Sequence, residues 1–396
     1  MRSLYALAAS LTVGSFALDI PAVPYFSGSR IPITAKGFYG TLGAQALGGG
    51  RVDGLTYVAP RVLRPRSVTL VAGGNGAIAL ASLRIVPPPV PTQPLVAVAS
   101  YVNGIALHDP QTFALLGIMP VPGAAGDVAF KSNGDIVSPD TDGDTLSSIA
   151  RTPWRQSEVP GVAQGNEVLV DAATGDVFVS DRDVLGDGAL TRITPAGSVT
   201  RIRTGVTAEG LAIDEARQIV YVGNVNDPSV LAVDARTMRP IRRIASVNRT
   251  FGIALDPRNQ RLFVVSNASK SMPGGAGYVA AIDLRPARAR IVQRSARMTF
   301  PLGAALDAGR QTLFVTDEGA NVVYVLDAGT LAPRRPPLRT CRVPWRPHYD
   351  AGSDLLYVPC ARSNAVDVFS GNSLRRVSGS PFRTGGFPIS VATWRG

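Results

Sequence analysis

Short apolar segments, each followed within a few residues by a turn, fill most of this chain. The clearest stretch runs from Leu211 to Thr237 and reads LAIDEARQIVYVGNVNDPSVLAVDART. Its three apolar segments end at Asp214, Asn224 and Asp234. They are rich in β-branched and aromatic residues, which favour extended strands. The pattern therefore predicts a series of short β-strands joined by tight turns.

The same stretch recurs along the chain at a nearly constant interval. The position of Asp214 is occupied in the other copies by Lys131, Asp171, Asp256, Asp307 and Asp350. Successive copies of this position lie 40, 43, 42, 51 and 43 residues apart. A period of about 40–45 residues with four short strands is typical of a β-propeller blade. Because one blade alone cannot bury both of its faces, we expect the copies to stack around an axis.

The two ends of the repeat array complement each other. Residues from Leu95 onward supply the second to fourth strands of a copy that lacks its first strand, whereas Pro388–Trp394 supplies an isolated first strand. Thr393 lies 43 residues after Asp350, in register with the repeat. We therefore predict an all-β, seven-bladed β-propeller over residues 95–396, closed by the C-terminal strand. Closure removes the free sheet edges that invite aggregation.

The residues before the array divide into a leader and an extension. Residues 1–17 combine Arg2, an apolar run and a small-x-small pattern ending at Ala17, which predicts a signal peptide. Residues 18–94 contain a predicted hairpin around residues 73–76 and a proline-rich linker. The hairpin either extends the propeller as an additional element or belongs to a degenerate extra blade over residues 50–86.

The leader also bears on the compartment. We expect export to the periplasm, the cell surface or the extracellular space, where disulfides persist. Cys341 and Cys360, 19 residues apart, either form one disulfide there or remain reduced, and their spacing does not decide between the two.

The pattern D-x(5)-V-Y-V-x-N…V-D-x-x-T, clearest from Asp214 to Thr237, resembles the YVTN β-propeller repeat and is similar to NHL-type and lactonase-type propellers. Lys131 replaces the repeat aspartate in one copy, and Cys360 replaces the asparagine in another. The resemblance covers residues 95–394. It implies an exported binding module that takes a ligand or a protein on its funnel face. It implies as an alternative a metal-assisted lactone or ester hydrolase of the lactonase type.

Candidate site residues lie in loops that open on one face of a propeller, the funnel face. Those at the entries of first strands are Asp127, Asn166, Glu167, Glu209 and Arg346, and those at the ends of second strands include Asp140, Asp181, Asn224 and Asp317. From the lactonase resemblance we expect a Ca²⁺ or Mg²⁺ site made of Asn166, Glu167, Asp181 and Glu209. Asp127, Asp140, Asn224 and Asp317 are candidates for ligand binding. The alternative for the whole set is that these polar residues cap turns.

His348 occupies a first-strand position where other copies carry Ala129, Ala212, Ala254 and Ala305. A large polar ring at such a position is expected in the central channel beside Arg346. There the two residues would serve in catalysis, His348 as a general base or as an anion-binding group. The alternative is a hydrogen-bonded structural histidine.

Composition narrows the classes of function. The 396 residues carry 40 Lys and Arg against 29 Asp and Glu, a net charge of +11. The arginines are scattered rather than clustered in runs, which argues against nucleic acid as a partner. Two histidines and two cysteines leave little material for a zinc, haem or iron–sulfur site. We expect a monomer that does not span a membrane and that binds a protein, a polysaccharide or a small molecule.

Overall fold

The repeated segments form a ring of β-sheets in a computed structural model that describes residues 16–74, 76–182, 188–267, 277–285 and 289–396. The only helix among these residues is the 3₁₀ turn Ala361–Ser363. The prediction of an all-β fold is therefore confirmed. No helix in the described ranges is long and apolar enough to cross a membrane.

Six consecutive sheets each contain four strands, and we number these blades in chain order. From the first strand to the fourth, blade 1 comprises Ala129–Phe130, Ile136–Pro139, Thr145–Arg151 and Trp154–Pro160, and blade 2 comprises Gly165–Val170, Val177–Asp181, Gly188–Ile193 and Val199–Gly205. Blade 3 comprises Ala208–Asp214, Ile219–Asn224, Ser229–Asp234 and Pro240–Ala245, and blade 4 comprises Thr250–Asp256, Arg261–Ser266, Tyr278–Asp283 and Arg290–Arg294. Blade 5 comprises Pro301–Asp307, Thr312–Asp317, Val322–Asp327 and Leu338–Arg339, and blade 6 comprises His348–Asp350, Leu355–Cys360, Ala365–Ser370 and Phe382–Arg383.

A seventh sheet, the closing sheet, joins the two ends of the chain. Its strands, in spatial order, are Pro388–Trp394, Leu95–Ser100, Gly104–His108, Leu115–Met119, Pro24–Phe26, Ala77–Val86, Arg66–Gly74 and Gly43–Leu47. The C-terminal strand pairs antiparallel with Leu95–Ser100, in a register that runs from Leu95 opposite Trp394 to Ser100 opposite Pro388. The predicted closure by the C-terminal strand is therefore confirmed.

The first strands of the seven sheets stand around a common axis. Each first strand contacts the first strand of the next blade, and Pro388–Trp394 contacts the first strands of both blade 6 and blade 1. The ring of contacts is thus continuous. Apolar residues from the facing sides of neighbouring sheets fill the spaces between blades, as with Phe263 and Val265 of blade 4 against Leu313 of blade 5.

The N-terminal extension lengthens the closing sheet and forms no separate blade. Pro24–Phe26 pairs parallel with both Leu115–Met119 and Ala77–Val86. The predicted hairpin, Arg66–Gly74 with Ala77–Val86, therefore becomes part of the sheet that closes the ring. Two small sheets complete the extension: Ala17–Leu18 with Ala35–Lys36, and Arg30–Pro32 with Thr56–Val58 and Arg51–Asp53. Most of the predicted signal peptide, residues 1–15, lies outside the described residues.

Local capping explains why the repeat ends its third strands where it does. The Asp234 carboxylate accepts hydrogen bonds from the backbone N–H of Thr237 at 2.7 Å and from its hydroxyl at 2.8 Å. Asp327 and Thr330 make the same two contacts in blade 5. An aspartate that satisfies backbone donors in this way stabilises a tight turn.

The two cysteines form a disulfide. Cys341 and Cys360 have a Cα–Cα distance of 5.7 Å and an S–S distance of 1.99 Å. The bond ties the segment that enters blade 6 to the end of the second strand of that blade. It therefore anchors the residues that carry Trp345 and Arg346.

Candidate functional site

A register shift near the start of the first strand, present in blades 2 to 5 and in the closing sheet, marks the residues that surround the axis. In blade 3, Ala208 pairs with Asn224, and the register shifts before Leu211, so that Glu209 and Gly210 lie at the shift. The first strands of blades 2, 4 and 5 shift at the same place. In the remaining sheets the equivalent pairs are Ala125 with Asp140, Pro344 with Cys360, and Pro388 with Ser100.

These pairs define two rings of residues around the axis. The entry ring, nearer the funnel face, comprises the equivalents of Glu209, which are Gly126, Asn166, Glu209, Phe251, Leu302, Trp345 and Ile389. The channel ring comprises the following residues, which are Asp127, Glu167, Gly210, Gly252, Gly303, Arg346 and Ser390. Three blades place glycine in the channel ring because neighbouring first strands approach closely. A Cβ on Gly252 would lie 2.6 Å from the carbonyl oxygen of Leu302.

Arg346 reaches from blade 6 across the axis to carboxylates of two other blades. Its Nε lies 2.7 Å from Glu167 Oε1, and its Nη2 lies 3.4 Å from Glu209 Oε1. Its Nη1 donates a 3.0 Å hydrogen bond to the carbonyl oxygen of Gly126. The guanidinium thus connects blades 1, 2, 3 and 6 at the centre of the ring.

The carboxylates around Arg346 are held by backbone donors as well. Glu167 Oε2 accepts a 2.7 Å hydrogen bond from the N–H of Leu211. Asp127 accepts hydrogen bonds from Val128 N at 2.8 Å and from Val168 N at 3.0 Å. These bonds fix the carboxylates in place between neighbouring first strands.

Burial dominates the ionisation of this cluster. Burial raises the pKa of Glu167 to about 8, even though the Arg346 charge lowers it. Burial also raises the pKa values of Asp127 and Glu209, again against the Arg346 charge. Burial lowers the Arg346 pKa, but the three carboxylates outweigh it and raise that pKa overall. Arg346, with Arg182 beside Glu209, therefore faces the buried Glu167 and Glu209 and the half-buried Asp127, and these guanidiniums do not keep Glu167 fully ionised at neutral pH.

A cavity of about 420 Å³ lies on the axis and reaches the channel ring. Asp127, Glu167, Arg346 and Ser390 line one part of it. The remaining wall is largely apolar and includes Ala129, Phe130, Leu169, Val170, Ile253, Ala304, Val391 and Ala392. This volume lies within the range of small-ligand pockets, which combine apolar walls with a few polar groups. The cavity lies among the first strands, deeper than the loops in which the sequence predicted the ligand site.

His348 lines the same cavity, next to Arg346 in sequence. Its Nε2 lies 3.0 Å from the Thr393 hydroxyl. Burial lowers its pKa, so the imidazole is neutral at neutral pH. Its position agrees with the expectation of a histidine in the channel, and its partner is a hydroxyl on the closing strand.

Polar atoms of the entry ring are buried without well-formed hydrogen bonds. Asn166 Oδ1 has none. The Asn166 side chain and Arg182, whose Nε lies 3.9 Å from Glu209 Oε2, both lower the Glu209 pKa without a well-formed hydrogen bond to that oxygen. Unpaired buried polar atoms of this kind are rare and call for an explanation, such as a bound water or ligand.

Aromatic side chains that sequence reasoning missed stand beside these atoms. The ring of Tyr101 lies 5.7 Å from that of Trp345 and 5.6 Å from that of Phe387, measured between centroids. Trp345 and Phe387 precede Arg346 and the closing strand, at the same first-strand entries that supplied the charged candidates. Inspecting those entries for rings as well as for charges would have found them.

The candidates at second-strand ends organise their own loops instead of joining the axial cluster. Asp317 accepts backbone hydrogen bonds from Thr299 at 2.7 Å, Phe300 at 3.0 Å and Ala320 at 2.9 Å. Asp140 accepts backbone hydrogen bonds from Asp142 at 3.0 Å and Ala124 at 3.3 Å. Their contacts match the alternative interpretation, in which these residues cap turns.

Asp181 contacts its own blade, and Asn224 joins its own blade to the fourth strand of blade 2. Asn224 accepts a 3.3 Å hydrogen bond from the Thr204 hydroxyl and donates to the Ser229 carbonyl at 3.4 Å. Asp181 accepts hydrogen bonds from Thr191 Oγ1 at 2.8 Å and Arg201 Nε at 2.7 Å. Burial raises the pKa of Asp181 to about 6.

The predicted Ca²⁺ or Mg²⁺ ligands do not fit a divalent cation in this arrangement. Glu167 and Glu209 flank the Arg346 guanidinium, whose charge would repel a second cation between them. Asp181 is directed to the third and fourth strands of blade 2. Within the described ranges there is no group of three or more His, Cys, Asp or Glu residues that could hold a metal ion. We therefore derive no metal-assisted hydrolysis for this site.

Comparison with solved structures places the chain among β-propellers. A protein of unknown function from Desulfotomaculum acetoxidans is similar, with a TM-score of 0.61 and 15% identity over 76% of this chain and 98% of that chain. A protein from Bacteroides fragilis provisionally named 6-phosphogluconolactonase has a TM-score of 0.62 and 10% identity over 78% and 99%. The β-propeller domain of Cps50 (Swd1) from Myceliophteria thermophila has a TM-score of 0.57 and 12% identity over 70% and 93%.

At these identities the likeness shows the fold alone. No family model matches the chain, and neither does any curated protein. The fold and the comparisons together define the class as a β-propeller protein.

Proposed function

We propose that this chain is a binding module that takes a small ligand in the axial cavity, which runs from the channel ring along the first strands away from the funnel face. The proposal keeps the predicted binding role and moves its centre from the funnel loops to the first strands. Arg346, Glu167 and Asp127 would position the polar part of the ligand, and the apolar wall would hold the rest. We further propose that the repeat is of the YVTN type.

The observation that carries this proposal is the buried charged cluster beside a cavity. Burying ion pairs is often less stabilising than packing apolar residues of similar volume, so a cluster of this kind does little for the fold. Titratable groups with strongly shifted pKa values next to a pocket are typical of functional sites. The other four channel-ring positions hold serine or glycine, so the fold itself does not require charges there.

A thermal-shift screen on a variant with a filled cavity tests the proposal. Ala304 lines the cavity, and Ala304→Leu would fill part of it. Ala296→Leu, at an exposed position, adds the same atoms elsewhere. Ligands that bind the native state raise Tm by mass action. We expect hits from a library of small molecules to stabilise the wild type and Ala296→Leu, and to lose their effect on Ala304→Leu. Hits that act equally on both variants, or a library without hits, contradict the proposal.

We also propose that the chain is exported. The apolar leader of residues 1–17 and the Cys341–Cys360 disulfide support this, since such bonds persist in oxidising compartments. Expression of the full chain in a bacterium, followed by fractionation and mass spectrometry, tests it. We expect a periplasmic or secreted product that begins at Leu18. A cytoplasmic product that retains residues 1–17 contradicts export.

A further inference from the structure

We propose that the axial cavity selects a small organic cation, an amine carried on a compact apolar body. This inference rests on the proposed function and names the chemical class of its ligand. It is carried by the charges that face the cavity, by the shape of the cavity and by a buried hydroxyl in its wall.

Negative charge exceeds positive charge around the cavity. Asp127 and Glu167 line it, Glu209 lies directly behind Arg346, and Arg346 is the single cation of the channel ring. Within the part of the chain that the structure describes, the titratable and charged groups around this cluster are Asp127, Glu167, Glu209, Arg346, Arg182, Tyr101 and His348, with Asp142 near Tyr101 and Asp350 near His348. His348 is neutral, and Arg182 lies on the funnel side with its side chain 39% exposed. A ligand amine would supply the positive charge that the ring lacks, whereas an anion would meet two carboxylates.

The cavity offers hydrogen-bond acceptors at its charged part. Each ionised carboxylate has about four lone-pair sites, and those of Asp127 and Glu167 are only partly used by backbone N–H groups and Arg346. The Ser390 hydroxyl, on a residue 3% exposed, lines the cavity beside the Asp127 carboxylate, whose pKa it lowers. An ammonium group donates three hydrogen bonds and accepts none, which matches this set.

The apolar wall of the cavity limits the size and the polarity of the part of the ligand that carries the amine. Leu169, Ile253 and Val391 face the cavity away from the charged ring. A volume of about 420 Å³ corresponds to about 14 liquid waters, and hence to a ligand of about 14 non-hydrogen atoms. An aryl or branched alkyl amine fits this space, whereas a folded peptide or an oligosaccharide exceeds it.

Cation binding and proton binding should compete at this cluster. Three carboxylates face the two guanidiniums of Arg346 and Arg182, and burial raises the pKa of Glu167 to about 8. Glu167 therefore holds a proton at neutral pH, which an arriving ammonium would displace. The affinity for an amine should therefore rise from pH 6 to pH 8, and binding should release a proton.

Isothermal titration with three probes of matched shape tests the inference. Benzylamine is the cation, benzyl alcohol the neutral isostere and benzoate the anion. We expect benzylamine to bind at least about tenfold more tightly than benzyl alcohol, and benzoate not to bind. The benzylamine heat should depend on the ionisation enthalpy of the buffer, because a proton is released. Equal binding of benzylamine and benzyl alcohol, or binding of none of the three, overturns the cation assignment.

Matched variants separate this inference from the proposed function. Glu167→Gln should weaken benzylamine by about tenfold and leave benzyl alcohol unchanged, whereas Glu158→Gln, at an exposed position on the outer strand of blade 1, should change neither. If Glu167→Gln does not fold, Asp127→Asn takes its place. Neutral or anionic library hits that disappear on Ala304→Leu would preserve the proposed function and refute the cation specificity. Hits that persist on Ala304→Leu would refute both.

Discussion

Replacing Arg346 with methionine should destabilise the protein in a pH-dependent way. The change removes the guanidinium and keeps most of the apolar stem, so the variant tests charge rather than packing. Glu167 and Glu209 would lose the charge that lies 2.7 and 3.4 Å from their oxygens. Removing one partner of a buried ion pair costs about 3–5 kcal/mol, because the remaining charge stays buried and unpaired.

The expected size can be converted to a melting temperature. With an unfolding entropy of about 2.1 cal/mol/K per residue, a chain of 396 residues loses about 4–6 °C for this change in free energy. The loss should be large at pH 8 and smaller at pH 5. Without Arg346, the buried carboxyl groups have pKa values raised further above their unfolded values. Their protonated forms stabilise the folded state at low pH, and that contribution disappears as pH rises.

Differential scanning calorimetry at both pH values measures the effect. Arg334→Met is the control, because Arg334 pairs with Asp327 at 2.6 Å while both side chains are at least one-third exposed. Surface pairs contribute about 0–1 kcal/mol, so the control should lose about 1 °C or less at either pH. A loss for Arg346→Met that is no larger than the control, or that is the same at pH 5 and pH 8, would refute the proposed electrostatics of the axial cluster.

Three further predictions concern Glu167, the disulfide and the closing strand. The folded pKa of Glu167 is raised from 4.5 to about 8, so its contribution to stability is present below pH 4.5 and is lost as pH rises towards 8. The unfolding free energy, measured with urea, should therefore fall less steeply with rising pH for Glu167→Gln than for the wild type. Replacing Cys341 and Cys360 with alanine opens a 19-residue loop and should reduce the unfolding free energy by about 3 kcal/mol. An unchanged unfolding free energy would mean that the disulfide does not form in the protein. Deleting residues 388–396 leaves the edge of Leu95–Ser100 unpaired and should cause aggregation, visible on size-exclusion chromatography. Deleting only residues 395–396 should leave a monodisperse peak. A monodisperse product of the longer deletion would contradict closure of the ring by the C-terminal strand.

The architecture was predictable because the repeat encodes it locally. Each copy carries its own strands and turn caps, so the spacing of Asp214 and its equivalents located the blades. The in-register position of Thr393 predicted the closing strand, which pairs with Leu95–Ser100 as expected. The route of the N-terminal extension was not predictable, since the parallel pairing of Pro24–Phe26 with Leu115–Met119 has no signal in either segment.

The candidate site was only partly predictable. Position in the repeat identified Asp127, Asn166, Glu167, Glu209 and Arg346, which lie at equivalent places on different blades. Their pairing was beyond the sequence, because Arg346 crosses the axis to residues more than a hundred positions away in the chain. The direction of the Asp181 side chain was also beyond the sequence, since Asp181 is bonded to Thr191 and Arg201 within its own blade.

A crystal structure of the protein grown with millimolar CaCl₂ tests the central claim, that a guanidinium and not a divalent cation balances the axial carboxylates. We predict electron density for the Arg346 side chain between Glu167 and Glu209, with its Nε close to the 2.7 Å from Glu167 Oε1 found here. A Ca²⁺ ion bound by Glu167, Glu209 and Asn166 at about 2.3–2.6 Å, with Arg346 displaced from the axis, would contradict it.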